Sequence, residues 1–334
     1  MKKFGTVLFL SSVLSSIFGM GFMTSAGAAT LLPMSAWDQI TESRLGSDFD
    51  ASAFEFDLRY QIGEEWGKKP VTPDQMKTET RAFQRAALAT ARMGGATAFY
   101  LGKFNGHHVM ATNHHVLPSA RSCLGNFARF PLLDDKKFVC KTFYGEWTDV
   151  DLALFEIEVT TPADEALLAP IGRNFNYDGN LVPGQLLLTI GFGIADNPRR
   201  VMMANQDSDC KVYSATNDFH FMGDPDEFNP GPYKAWSFAN GCDVSHGDSG
   251  SAMVDRVTGD PVGLIWTGKI PKNEKVRSKA YLDNLLKTQS PEVWTELSFA
   301  VPATKIREHL RGVIDSGKLS PETRATLAAV IGVK

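Results

Sequence analysis

From Gly95 onward the chain is a succession of short apolar runs cut by Gly, Asn, Asp and Pro, and this constrains its fold more than any other feature. Ala96–Gly102, His108–Asn113, Phe138–Phe143, Leu152–Val159, Leu186–Gly191, Lys211–Ser214, Ala235–Ala239, Ser251–Val254, Pro261–Gly268 and Leu297–Val301 are the clearest. Many short strands with turn residues between them predict an all-β barrel or sandwich. A parallel α/β sheet is disfavoured, because no helical period alternates with the runs. Little helix is expected between the strands, and clear helical patterns stand at the flanks. Met76, Phe83, Ala87 and Leu88 recur near helical spacing, and nothing interrupts the stretch from Lys77 to Met93 before Gly94. Pro302 opens a second helical segment from Ala303 to about Ile314. Ser320-Pro321-Glu322 then supplies an N-cap, a proline at N1 and an acidic first turn for another short helix. The chain has no internal repeat and no low-complexity segment.

Lys2 and Lys3 precede an apolar stretch from about Val7 to Met23, followed by Ser25-Ala26-Gly27-Ala28-Ala29. A basic start, a short apolar run and small residues at Ala26 and Ala28 predict an export signal cleaved after Ala28. The alternative is an uncleaved anchor, but Ser11, Ser12, Ser15, Ser16 and Gly19 interrupt a stretch already at or below spanning length. The mature chain is therefore expected to be secreted or periplasmic, off the membrane and monomeric. The full sequence has a formal net charge of −4, and loss of the two lysines makes the mature chain more negative. Scattered charge on a mildly acidic chain offers no face for a polyanion, which argues against nucleic acid as a partner. Between Thr30 and about Gly95 the sequence before the helical stretch is acidic and irregular, as in a propeptide or a permanent extension. Cys123, Cys140, Cys210 and Cys242 make an even count, which in an exported protein implies disulfides with three possible pairings. Proximity favours Cys123–Cys140 and Cys210–Cys242, each within one half of the β-rich part.

Three motifs bear chemistry. Thr112-Asn113-His114-His115-Val116, Asp151-Leu152-Ala153-Leu154 and Gly247-Asp248-Ser249-Gly250 supply an imidazole, a carboxylate and a hydroxyl in that order. A serine hydroxyl is a poor nucleophile at neutral pH. It needs a base within hydrogen-bond reach, and the base needs a partner that fixes its tautomer. Gly247 permits a tight turn in which its N–H and that of Ser249 point at one developing oxyanion. Gly250 lets the chain pass close to the nucleophile without a side chain in the way. Alone, Gly-Asp-Ser-Gly is nearly as well read as an ordinary turn; a chain of this length carries it by chance on the order of once in a hundred sequences.

Together the motifs resemble those of the trypsin-fold serine proteases, particularly the bacterial trypsin-like and glutamyl-endopeptidase-like branch. Thr112-Asn113-His114-His115-Val116 is similar to that family's Thr-Asn-x-His-Val, which assigns the base to His115. Asp151-Leu152-Ala153-Leu154 is similar to its Asp-Leu-Ala-Leu, with Asp151 as the carboxylate and Asp149 as a rival, on the same face if the segment is a strand. Thr97–Gly102 resembles the strand before the histidine, Pro261–Gly268 the strand whose backbone pairs with an extended substrate, and Ala300-Val301-Pro302 the approach to the last helix. The resemblance implies two antiparallel six-stranded β-barrels with an N-terminal extension and C-terminal helices, and a catalytic row His115, Asp151, Ser249 in the cleft between them. It further implies an oxyanion hole from Gly247 and Ser249, and substrate contacts at Asp243, His246, Trp266, Thr267 and Gly268. Asp243 lies where trypsins carry the acid that selects Arg and Lys; Trp266 stands where glutamyl-specific relatives tend to carry His. In animal trypsins a freed N-terminal amine pairs with the Asp before the nucleophile, here Asp248. Arg92-Met93-Gly94-Gly95 faintly resembles a cleavage site for that purpose but sits close to His115, and reads better as the start of a strand.

The resulting expectation is a signal peptide over 1–28, an extension or propeptide over 29–90, a protease domain over 91–312 and a helical tail over 313–334. The activity implied is serine endopeptidase chemistry on protein or peptide substrates through an acyl-enzyme, without a cofactor. A catalytically silent binding protein of the same fold, or an esterase using the same residues, are the alternatives. His107, His108, His114 and His115 suggest no metal site, because adjacent histidines on a strand point to opposite faces.

Overall fold

The computed structural model describes residues 57–333; the expected export signal lies outside the described residues. Its strands are β1 (Lys68–Pro70), β2 (Thr90–Met93), β3 (Ala96–Phe104), β4 (His107–Thr112), β5 (Phe127–Phe130), β6 (Lys136–Trp147), β7 (Leu152–Ile157), β8 (Leu187–Gly191), β9 (Met203–Asn205), β10 (His220–Gly223), β11 (Lys234–Asn240), β12 (Ala252–Asp255), β13 (Pro261–Gly268) and β14 (Ser298–Pro302). The first half closes into an antiparallel barrel of order β2-β3-β4-β7-β6-β5. The second half is a sheet of order β1-β9-β8-β12-β13-β14-β11-β10. Its two arms meet through isolated bridges, Leu186 with Lys211 and Val212 with Asn240, so residues 211–212 stand in for a sixth barrel strand. Lys211–Ser214, expected as a strand, is thus reduced to two bridges. The two-barrel architecture is the one expected.

The apolar runs behave as their sequences require. β7 and β13 are buried along their whole length, so both read as near-continuous apolar runs without alternation. Met110, Phe130 and Phe155 pack within the first half and Phe238, Met253 and Ile265 within the second, whereas Phe99, Leu152 and Leu154 share one apolar cluster with Leu264 and Phe299 between the halves.

The stretch Lys77–Met93 is not one helix. Pro73–Thr78 and Arg81–Ala89 are separate helices capped by Thr72 and Thr80, whose side chains accept from the amides of Gln75 and Phe83. Thr90–Met93 leaves the helix to pair with β3, from Thr90 opposite Phe99 to Met93 opposite Ala96. Barrel closure needs that pairing, and it overrides local helical preference. Gly94, at φ +57°, makes the β2–β3 turn, so Arg92-Met93-Gly94-Gly95 is the tip of a hairpin. At the C-terminus the helices Ala303–Asp315 and Pro321–Val330 appear as expected, with Ser320 accepting from the Thr323 amide. The first of them runs through position 312.

Residues 59–70 belong to the second half. Lys272 N donates to Arg59 O at 2.8 Å, Gly63 N to Val276 O at 2.9 Å, and β1 adds to the sheet edge at β9. The disulfides are Cys123–Cys140 and Cys210–Cys242, with sequence separations of 17 and 32. Loop-closure entropy ascribes about 3 and about 4 kcal/mol of stability to them. Urea unfolding of the paired Cys→Ala variants tests this: both should lower stability by amounts of this order, with Cys210/Cys242 the larger.

Candidate active site

His115 lies in the turn that ends β4, and Asp151 in the turn that begins β7. These strands are neighbours, with Thr112 opposite Ala153, so the two turns emerge together. Asp151 follows the 3₁₀ turn Thr148–Val150 at φ +35°, ψ +49°. This left-handed conformation is uncommon for a residue with a side chain, and Asp adopts it more readily than most. Asn113 Nδ2 donates to Asp151 O at 2.8 Å and ties the turns together. Because the segment is a 3₁₀ turn and not a strand, the alternation that made Asp149 a rival is broken, and Asp149 is exposed at the surface.

The Asp151 carboxylate is completely buried and fully used. Its Oδ2 lies 2.8 Å from His115 Nδ1, and its Oδ1 accepts from the His115 amide at 3.2 Å. A residue that the sequence did not single out joins them: Tyr233 Oη lies 2.9 Å from His115 Nδ1 and donates to Asp151 Oδ1 at 3.2 Å. With the carboxylate held against Nδ1, the proton resides there and Nε2 is left as the acceptor. Burial pushes the imidazole down, but the charge and hydrogen bond of Asp151, with a contribution from Asp224, outweigh it and hold His115 above its usual value. Burial, reinforced by Asp151, pushes the Tyr233 phenol up, so it stays a donor. His114 turns the other way, with Nδ1 2.6 Å from Glu146 Oε2 and its ring edge-on to Tyr233.

Ser249 comes from the second half, and its turn packs directly on the first. Thr97 N donates to Ser249 O at 3.0 Å and Thr97 Oγ1 to Gly247 O at 2.8 Å. Gly247 and Gly250 have φ of +94° and +86°. A Cβ at Gly250 would lie 2.0 Å from Thr97 O, so glycine is required there. Among the described residues the Gly247 and Ser249 amides make no hydrogen bond, which leaves two donors on one turn for an incoming oxyanion. Among the described residues the Ser249 hydroxyl likewise makes no hydrogen bond.

His115 and Ser249 share one cavity of about 260 Å³. His246, Trp266 and Thr267 also line it, whereas Gly268 does not. His246 Nε2 is 2.6 Å from Asp226 Oδ2. Asp243 is a correction to the expected substrate contacts: it is completely buried and does not line the cavity. Its carboxylate accepts from the amides of Ile62 and Gly67, each at 2.6 Å, and so faces the N-terminal segment. Burial raises the Asp243 carboxyl and lowers the Lys272 ammonium to about 7, moving both toward their neutral forms.

Much of the cavity wall is the loop between β10 and β11, residues 224–233, which contributes Asp224, Asp226 and Tyr233. Asp224 accepts from Thr267 Oγ1 and from the Gly231 amide; Asp226 accepts from the Phe228 amide. Three prolines and a glycine mark this stretch as a loop, and its length is the one sequence signal of a role.

No group of His, Cys, Asp and Glu among the described residues has the arrangement of a metal site. Residues 96–264 match the family model described as a trypsin-like peptidase domain. No curated protein matches the chain in sequence. Among solved structures, Rv3671c of M. tuberculosis, in an inactive serine-to-alanine form, is similar at 15% identity and TM-score 0.45, covering 75% of this chain and 99% of that one. The HtrA-type protease AlgW, solved with a decapeptide, is similar at 17% identity and TM-score 0.44, covering 75% and 74%. NMR titration of the His115 ring should give a midpoint above the free-imidazole value of about 6.5. Asp224→Asn, which removes one of the charges that raise it, should move the midpoint down.

Proposed function

The chain belongs to the trypsin-like peptidase domain family and is a serine protease, and from this we propose that it is a secreted endopeptidase whose catalytic residues are Ser249, His115 and Asp151. The observation that carries the assignment is the His115–Asp151 pair at 2.8 Å, opening onto the cavity that also holds Ser249. Secretion rests on the basic-then-apolar start of the chain and on its two disulfides.

In the proposed reaction His115 Nε2 takes the proton of Ser249 Oγ as Oγ attacks the scissile carbonyl carbon. The oxyanion accepts from the Gly247 and Ser249 amides, each worth about 3–4 kcal/mol in the transition state. His115 then protonates the departing amine, and water repeats the sequence on the acyl-enzyme. Asp151 and Tyr233 keep the imidazole in place and stabilise its cationic form. β12 ends at Ala252 opposite Leu264, so the backbone at 266–268 has no strand on that side. An extended peptide adds there as a further strand. With the Asp243 carboxylate claimed by the Ile62 and Gly67 amides, a preference for Arg or Lys loses its basis. Residues 57–90 are proposed to remain with the protease domain, since they form parts of both halves.

A fluorophosphonate probe tests the assignment. It should label the wild type and not Ser249→Ala; labelling of both overturns it. His115→Ala should cut turnover by about 10⁴-fold or more and His114→Ala by no more than about threefold, measured on a peptide panel that also separates peptidase from esterase activity. Comparable losses from both would undo the choice of base. Tyr233→Phe should cost about tenfold or more in kcat/KM, as loss of a hydrogen bond to a charged group does.

A further inference from the structure

Asp248, immediately before the proposed nucleophile, is buried to 1% exposure. Its Oδ1 accepts from the Gly193 amide at 3.0 Å, and its Oδ2 from the Ser245 amide at 2.8 Å and the Ser245 hydroxyl at 3.1 Å. These neutral donors do not cancel a carboxylate charge taken out of water, which is costly unless a cation accompanies it. The cation present is Lys68, in β1, whose ammonium pairs with Asp248 Oδ2; the two side chains keep only 1% and 2% of their surface exposed. Arg200 is also in the neighbourhood, but its guanidinium donates to the Gly95 and Phe192 carbonyls. The surroundings are shaped for the pair. A Cβ at Gly193 would lie 2.3 Å from Asp248 Oδ2 and 2.6 Å from Lys68 Nζ. Lys68 is held at its depth by β1, which pairs with β9 from Lys68 opposite Asn205 to Pro70 opposite Met203.

Asp248 stands between Gly247 and Ser249, so the direction of its side chain fixes the peptide planes on either side. Held inward, it leaves Ser249 on the cavity wall, with the Gly247 and Ser249 amides making no hydrogen bond among the described residues. Without its cation a buried carboxylate is driven out to water, and the two amides lose their common target.

We infer that Lys68 is a positioning residue of the protease: an ammonium carried within the chain keeps the oxyanion-binding turn formed, so that activity needs no newly cut N-terminus. The inference rests on the catalytic assignment proposed above. It also makes the segment 59–70 part of the working enzyme, because the same segment caps Asp243 through the amides of Ile62 and Gly67.

The test uses the full chain. Wild type is first labelled with the fluorophosphonate, and the N-terminus of the labelled species is determined by mass spectrometry. It should begin upstream of Lys68; a labelled species that begins after Lys68 overturns the inference. Lys68→Met should lower kcat about 100-fold, the scale of losing an oxyanion donor, with KM changed no more than about threefold. A fall in kcat of less than tenfold in the folded variant overturns the inference, whereas a loss confined to KM points to substrate binding and overturns it as well. If Lys68→Met does not fold, selective blocking of α-amines on the wild type decides: unchanged labelling supports the in-chain ammonium, and lost labelling refutes it. A wild type that takes no label at all refutes the catalytic assignment instead.

Discussion

Thr97 joins the two halves of the molecule at the point where the chemistry would occur. Its amide and hydroxyl donate to the carbonyls of Ser249 and Gly247, its hydroxyl accepts from the Phe192 amide at 3.1 Å, and its carbonyl accepts from Thr112 Oγ1 at 2.7 Å. One residue of the first barrel therefore touches the nucleophile turn, the end of β8 and the strand that delivers His115. It is completely buried, so these bonds are made without competition from water. The position of the hydroxyl relative to the imidazole is set by this seam, and both glycines of the nucleophile turn are needed for the approach.

Around His115 the charges are arranged asymmetrically. Asp151 is pinned by donors from both halves, since Tyr233 reaches across from the second to bond a carboxylate that belongs to the first. Asp224 sits on the same wall, with its oxygens occupied by its own loop and by Thr267. A fixed negative environment favours the imidazolium, the state a base at this position would pass through, and the ring stays partly open, with 34% of the side-chain surface exposed. The loop 224–233 thus has two roles, completing the cavity wall and completing the hydrogen bonding around His115 and Asp151.

Some of this was legible in the sequence. β3, β4, β7, β13 and β14 announce themselves by their apolar runs, and the three motifs single out His115 and Ser249, which line one cavity, and Asp151, which meets His115, because each combines a reactive side chain with the turn residues that present it. β1, β2 and β9 were not legible. They are three or four residues long and exist only because a neighbouring edge pairs with them. Lys68 was equally hidden: Lys68-Lys69-Pro70 reads as a solvated loop, and nothing local says that one of its charges is buried beside a residue far along the chain. Asp243 shows the opposite failure. Its distance from Ser249 suggested a substrate contact, but two backbone amides of a remote segment claim the carboxylate, and sequence spacing carries no information about remote backbone donors. Tyr233 lies at the end of a proline-rich loop, whose path over the cleft no periodicity records.

Both disulfides lie on one side or the other of the cleft: Cys123–Cys140 ties the β5–β6 region, and Cys210–Cys242 ties the short bridge strand to the chain beyond β11. No covalent link spans the halves between Thr90 and Val254 other than the main chain itself. The relative placement of Ser249 and His115 consequently depends on no cross-link between the halves. What holds the two halves in register is therefore noncovalent: the Thr97 bonds and one buried apolar cluster that includes Phe99 and Leu154 of the first half and Leu264 and Phe299 of the second.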